Sequence, residues 1–153
     1  MIPLRRPVVA AALALALWAA VAAGAPSDDD ESVDPDYAAG KAAIEAKNWT
    51  AAITALSSAA LRDTRNADIQ NYLGYAHRHT GRLDLAFPHY ARALQLDPRH
   101  RGAHEYVGEA YLLAGDVAKA EEHLAALRRI CVIPCEEYAD LAKAIEAYRA
   151  GRK

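Results

Sequence analysis

The stretch ADIQNYLGYAHRHTGRLDLAFPHYARALQLDPRH, residues 67–100, divides into two halves separated by the polar turn HTGRLD. In each half, apolar residues recur at the three- and four-residue spacing of an amphipathic helix. The turn contains Gly81, and glycine readily adopts the left-handed conformation in which many helices end. The stretch therefore predicts a helix–turn–helix unit.

The same pattern occurs three times along the chain, at a spacing of 34 residues. This offset aligns Gly40 with Gly74 and Gly108. It also aligns three further sets of small or apolar residues: Ala52, Ala86 and Ala120; Leu56, Tyr90 and Leu124; and Ala59, Ala93 and Leu127. A fixed period of this length is typical of a solenoid of stacked units. The glycines and alanines are small because the two helices of a unit must cross closely there.

This pattern resembles the tetratricopeptide repeat, and the middle unit carries the resemblance most fully. Its first helix has the Leu73-Gly74 pair, its second helix has Ala86 and Tyr90, and Pro98 closes the unit. The resemblance assigns three repeats to residues 33–134, with the boundaries 33–66, 67–100 and 101–134.

The outer units depart from the middle one at a few positions. Lys47 stands where the other two units have a turn glycine, and Thr64 and Val132 stand where the middle unit has its closing proline. These changes leave the helix-pair pattern intact.

The stretch after the third unit, residues 135–153, predicts one more amphipathic helix. Its apolar face contains Tyr138, Leu141, Ala142 and Ile145. The end of a solenoid exposes an apolar side unless such a helix covers it. The predicted fold is therefore all-α, an α-α superhelix of three helix pairs followed by a C-terminal capping helix and tail.

The first 23 residues have the layout of a secretory signal peptide. Arg5 and Arg6 precede an uncharged run rich in alanine and leucine, which ends in small residues. The run is shorter than the roughly 20 apolar residues of a membrane-spanning helix. We therefore predict cleavage after Ala22 or Ala23, and the alternative is that the segment is retained as an anchor. The chain is expected to be an exported, bacterial-type tetratricopeptide protein that is periplasmic or secreted.

Residues 24–35 form an acidic stretch without apolar periodicity, which predicts a flexible leader. Cleavage of the signal peptide removes two arginines, so the formal net charge changes from −2 to about −4. The remaining chain has no basic stripe of the kind that binds nucleic acid. We expect no nucleic-acid partner and no stable membrane insertion after cleavage.

The sequence CVIPC holds both cysteines of the protein, Cys131 and Cys135. Side chains four apart on a helix have Cβ atoms about 5–6 Å apart, whereas a disulfide needs about 3.5–4.5 Å. Pro134 favours a turn that brings the sulfurs closer, and an oxidising compartment favours their pairing. We predict a disulfide that fixes the capping helix to the last repeat.

Two other uses of this motif remain open. Cys135 at a helix N-terminus would have a lowered pKa, which suits thiol exchange. A metal site would need further ligands, and the six histidines are scattered over different predicted helices: His77, His79, His89, His100, His104 and His123. A redox or metal-handling accessory that acts through CVIPC is therefore the alternative function.

The sequence contains no motif that predicts catalysis. HEYVGEA, residues 104–110, begins like the metal-binding helix of a zinc protease, but Gly108 stands where the second histidine is required. We find no nucleophile elbow, phosphate loop or dinucleotide-binding loop. We expect no enzyme activity, no catalytic residue, no metal site and no cofactor.

The resemblance implies that the first helices of the repeats line a concave groove that binds a protein or peptide segment. Transferring the groove positions of the repeat gives nine residues: Lys41, Asn71, Tyr72, Tyr75, Arg78, His79, Glu105, Tyr106 and Glu109. Glu105 and Glu109 make a C-terminal carboxylate an unsuitable ligand and favour a segment with a basic residue. The predicted function is an exported adaptor that holds a segment of another envelope protein. Self-association through the solenoid ends is a further possibility.

Overall fold

The computed structural model describes residues 34–151, and this part of the chain consists of helices joined by short loops, with no strand. The predicted signal peptide, the leader up to residue 33 and the last two residues of the predicted tail, 152–153, lie outside the described residues. Seven helices occupy the described range: α1 Pro35–Glu45, α2 Trp49–Arg62, α3 Ala67–His79, α4 Leu83–Leu96, α5 Arg101–Leu113, α6 Val117–Ile130 and α7 Glu136–Gly151. The prediction of an all-α fold with three helix pairs and a C-terminal helix is confirmed. None of these helices is long and apolar enough to cross a membrane.

Most helices begin at a residue whose side chain accepts a hydrogen bond from the first turn. Asn48 Oδ1 accepts from Ala51 N at 3.2 Å. Equivalent caps are formed by Asp34, Asn66, His100 and Asp116. Each cap satisfies a backbone N–H that has no partner within the helix and contributes about 1 kcal/mol. Local sequence therefore determines where these helices start.

The first helix of each pair ends in the same six-residue motif. In the middle pair, Gly81 N donates to Arg78 O at 3.0 Å and Arg82 N donates to His77 O at 2.9 Å. This Schellman arrangement requires a left-handed residue after the C-cap. Gly81 has φ of 76° and Gly115 has φ of 83°, but in the first pair Lys47 takes this conformation with φ of 56°.

The two helices of the first and second pairs touch where the first helix has a glycine. A Cβ on Gly74 would lie 2.7 Å from Tyr90 Cδ1, and a Cβ on Gly40 would lie 2.5 Å from Leu56 Cγ. Both partner side chains are fully buried, with 0% exposure. Since real Cβ atoms do not approach so closely, a larger residue at either glycine would push the pair apart.

The third pair differs, because its glycine accommodates the capping helix. A Cβ on Gly108 would lie 2.6 Å from Leu141 Cδ2 of α7, and its three nearest atoms all belong to Leu141. The repeat alignment places Leu124 of α6 at this position instead. Leu141 and Ile145 of α7 are buried, with 0% and 2% exposure. The capping helix therefore forms part of the hydrophobic core beside α5 and α6.

The turn of the first pair yields a stability prediction. A side chain in the left-handed conformation costs about 1 kcal/mol relative to glycine, so Lys47→Gly should raise the free energy of unfolding by about that amount. Gly81→Ala is the matched control, because a Cβ at Gly81 would meet no atom within 4 Å. Gly81→Ala should lower the free energy of unfolding by a similar amount, because only the strain of the left-handed backbone changes. Urea unfolding measures both changes, and a Lys47→Gly variant no more stable than wild type would contradict this account.

Candidate binding groove

The first helices of the pairs and the capping helix lie next to one another in the order α1, α3, α5, α7. Two cavities open between α3, α5 and α7, and we call this surface the groove. The first, the acidic cavity, has a volume of about 620 Å³. It is lined by Ala67, Asp68, Asn71, Tyr72, Asp97, Arg99, His100, Arg101, Gly102, Glu105, Tyr106, Glu136, Glu137 and Asp140. The second, the apolar cavity, has a volume of about 450 Å³ and is lined by Arg78, Glu109, Leu112, Leu113, Ala144 and Tyr148.

Arg78 ties α3 to α5 in the groove. Its Nη2 atom lies 2.8 Å from Glu109 Oε2, and its side chain is only 10% exposed. The guanidinium also lies 5.1 Å from the ring centroid of Tyr75 and 5.8 Å from that of Tyr106, which are cation–π distances. Arg78 Nε is buried without a hydrogen-bond partner. This cation is therefore held by one carboxylate and two aromatic rings.

A series of aromatic rings in contact with one another lies beside Arg78, near the C-terminal end of α3. The Tyr75 ring lies 4.6 Å from Tyr106 and 4.4 Å from His79 between centroids. Trp49, the first residue of α2, stacks on His79 at 4.4 Å. Trp49 is not among the predicted groove residues, because those positions lie only on first helices.

Glu105 carries a half-buried carboxyl group in the wall of the acidic cavity. Burial, followed by the neighbouring carboxylates Glu109, Asp140 and Glu137, raises its pKa to about 8, while Arg78 opposes this shift. Two other acidic residues of this cavity have basic partners, since Asp68 pairs with His100 at 3.0 Å and Glu137 with Arg101 at 3.4 Å. In the described part of the chain, no ion pair involves Glu105 or Asp140.

Asn71 forms part of the wall of the acidic cavity and is only 3% exposed. Its Oδ1 atom is buried and has no hydrogen-bond partner among the described residues. A Cβ on Gly102 would lie 3.3 Å from Asn71 Nδ2, so the glycine keeps the wall open beside this amide. A buried carbonyl oxygen without a donor costs about 1–3 kcal/mol, unless something else supplies the bond.

Eight of the nine predicted groove residues lie on α3 and α5. Six of them line a cavity: Asn71, Tyr72, Glu105 and Tyr106 the acidic one, Arg78 and Glu109 the apolar one. Tyr75 and His79 form the aromatic group beside them. Lys41 lies apart on α1, where its Nζ is 5.6 Å from the Tyr37 ring centroid.

The main omission of the sequence analysis is the contribution of α7 to both cavities. Asp140 lines the acidic cavity, and Ala144 and Tyr148 line the apolar one. Residues 135–153 were predicted only as a capping helix and tail. The 34-residue offset that relates Tyr72 to Tyr106 leads next to Asp140. The repeat period therefore already indicated that α7 occupies a groove position.

The structure places Cys131 and Cys135 in position for the predicted disulfide. Their Sγ atoms lie 2.06 Å apart and their Cα atoms 5.8 Å apart. The loop between them exposes Val132 and Ile133, which are 98% and 78% accessible. The state of these cysteines in the cell remains a prediction, as does the redox alternative.

Four of the six histidines, scattered along the sequence, are brought together in two pairs by the fold. His104 Nε2 donates to Pro98 O at 3.1 Å, so His104 Nδ1 accepts from His123 Nδ1 at 2.9 Å. Burial lowers the pKa of both, to about 4 for His123, and keeps the pair neutral. His77 stacks on His89 at 5.4 Å. Within residues 34–151, no group of three or more His, Cys, Asp or Glu residues is arranged to hold a metal.

Comparison with known proteins identifies the family. One tetratricopeptide repeat model matches residues 37–100 and another matches residues 78–130, together more than half of the chain. The chain belongs to the tetratricopeptide repeat family. No curated protein matches the sequence.

Several solved structures share the fold. The type III secretion translocator chaperone SycD of Yersinia enterocolitica matches with a TM-score of 0.68 and 18% identity, over 76% of this chain and 83% of that chain. SycD in complex with a peptide of the translocator YopD matches with a TM-score of 0.65 and 17% identity, over 77% of this chain and 92% of that chain. PcrH in complex with the chaperone binding region of PopD matches with a TM-score of 0.65 and 22% identity, over 77% of this chain and 91% of that chain. At these identities the similarity establishes the fold alone.

The raised pKa of Glu105 yields a pH-dependent prediction. A glutamate whose pKa is 4.5 in the unfolded chain and about 8 in the folded protein contributes its full stability below pH 4.5. That contribution is lost as the pH rises through 8. Glu105→Gln does not titrate, so the stability of the variant relative to wild type should rise between pH 5 and pH 9.

Urea unfolding at both pH values measures this difference. Glu122→Gln on α6 is the control, because Glu122 is exposed on a second helix, away from both cavities. It should show no comparable pH dependence. If the effect of Glu105→Gln on stability were the same at pH 5 and pH 9, the half-buried, unpaired state of Glu105 would be refuted.

Proposed function

We propose that this protein is an exported tetratricopeptide adaptor whose groove holds a segment of another envelope protein. The observation that carries the proposal is a pair of open cavities flanked by half-buried aromatic and charged side chains on α3, α5 and α7. The proposal assigns binding, and no catalysis, to this surface. The peptide complexes of SycD and PcrH support it, because they are complexes of proteins with the same fold.

The aromatic and cationic group formed by Tyr75, Arg78 and Tyr106 has the chemistry of a binding hot spot. Tyr75 and Tyr106 are ordered by each other and by Arg78, so a ligand that contacts them need not immobilise them. A tyrosine offers a large apolar face and a hydrogen-bonding tip, and aromatic residues and arginine dominate the energetics of protein interfaces. The groove therefore provides preorganised anchor residues.

The groove is tested by selecting peptides from a displayed library of random twelve-residue peptides on the purified protein. Calorimetry then compares the selected peptides on wild type, on Tyr106→Ala and on Arg92→Ala. Tyr106→Ala should weaken binding by about tenfold or more, the scale of a lost aromatic anchor. Arg92 is exposed on α4, away from both cavities, so Arg92→Ala should leave the affinity unchanged.

Circular dichroism of each variant checks that the fold is retained. Peptides that bind Tyr106→Ala as tightly as wild type would contradict the assignment of the groove, and so would a selection that yields no binding peptide.

Export and the disulfide are tested together by intact mass measurement of protein extracted from the periplasm without reductant. We expect a chain cleaved after Ala22 or Ala23 and two hydrogens lighter than the reduced form. Cell fractions treated with a thiol-alkylating reagent provide the control for oxidation during extraction. A chain that retains residues 1–23 inside the cell would contradict export, and free, readily alkylated cysteines would contradict the disulfide.

A further inference from the structure

The acidic cavity has features of a site for a cationic group. Glu105 is half-buried, and in the described part of the chain no basic residue forms an ion pair with it, while Arg101 and His100 are engaged with Glu137 and Asp68. The third basic residue of the wall, Arg99, is exposed in the loop between α4 and α5. A cation that enters the cavity favours the ionised form of a carboxyl group in this position.

Asn71 provides a second, independent indication of a ligand. Its side chain is 97% buried in the cavity wall, and its Oδ1 atom lacks a donor. A lysine ammonium or an arginine guanidinium carries several N–H donors, which can serve both the Glu105 carboxylate and this carbonyl oxygen. A metal ion fits less well, because no group of three or more potential ligands in residues 34–151 is arranged to hold one.

The apolar cavity lies further along α5 and is bordered by the Arg78–Glu109 pair. Leu112 is buried and Leu113 is 64% exposed, and Ala144 and Tyr148 of α7 form the facing wall. An apolar side chain that fills this cavity covers the exposed leucine, which contributes about 25 cal/mol for each Å² of apolar surface removed from water.

The distance between the two cavities sets a spacing for the ligand. Glu105 and Leu112 are separated by seven residues of α5, or about 10 Å at 1.5 Å per residue. An extended segment in the polyproline II conformation advances about 3.1 Å per residue with three residues per turn, so side chains three positions apart point the same way and span about this distance.

We propose that the groove recognises an extended segment with a lysine or arginine side chain in the acidic cavity and a bulky apolar side chain about three positions away in the apolar cavity. This inference rests on the proposed function and specifies the partner's chemistry. The chain's own leader is excluded as the occupant of the acidic cavity by its charge, since SDDDES at residues 27–32 has no basic residue.

The experiment uses the same library of random twelve-residue peptides, now read for composition. Selected peptides should be enriched in lysine or arginine three positions from leucine, isoleucine, phenylalanine or tryptophan. Glu105→Gln should weaken their binding by about tenfold, as expected when a hydrogen bond to a charged group is lost. Glu122→Gln removes the same charge from α6 and should change the affinity less than twofold.

A double-mutant cycle makes the assignment specific. Replacing the basic residue of the peptide by norleucine should weaken binding to wild type, and Glu105→Gln should then cause little further loss. Independent, additive losses would show that the basic residue binds elsewhere and would overturn the inference.

The remaining outcomes separate this inference from the proposed function. Peptides that lose affinity with Tyr106→Ala but are unaffected by Glu105→Gln would overturn the cationic pocket and leave the groove intact. Peptides unaffected by Tyr106→Ala would overturn both. If the protein instead dimerises with increasing concentration and Glu105→Gln abolishes this, the cavity binds a second copy and the inference of a separate partner is wrong.

Discussion

The close approach of helices at three glycines is the constraint on which the rest of the structure depends. At Gly74 the helices leave no room for a Cβ, because the Tyr90 ring occupies that space. This contact fixes the separation of α3 and α4, and the equivalent contact at Gly40 fixes that of α1 and α2. Since each pair then stacks on the next, the first helices come to lie side by side and their outward side chains form one surface.

At the third glycine, this constraint also completes the groove. Gly108 accommodates Leu141, so α7 packs directly on α5, and Asp140 and Tyr148 are carried to opposite ends of the facing wall. The helix that covers the solenoid end thus also contributes to both cavities. The cysteine pair lies immediately before α7, where a disulfide would restrain the start of this wall.

The repeat fold could be predicted from sequence because its determinants are local and periodic. The aligned glycines and the turns recur every 34 residues, and even Lys47 follows the pattern by taking the left-handed conformation of Gly81. The arrangement of the site was less predictable. The partners of Gly108 and His104 depend on how helices distant in sequence pack. The surroundings of Glu105 include Glu137 and Asp140 of α7, and Asn71 lies against Gly102 of α5. A single repeat encodes none of these contacts.

The central claim is that the groove, and no other face, holds a partner segment. The most direct test is photo-crosslinking in the cells that produce the protein. One exposed leucine at a time is replaced by a photo-crosslinking amino acid. Leu113 lines the apolar cavity and is 64% exposed, while Leu61 lies on α2 and is 83% exposed. The account predicts crosslinks from position 113 to one defined segment of another protein, containing a basic residue, and none from position 61. Crosslinks from position 61 to the same segment, or none from position 113, would contradict it.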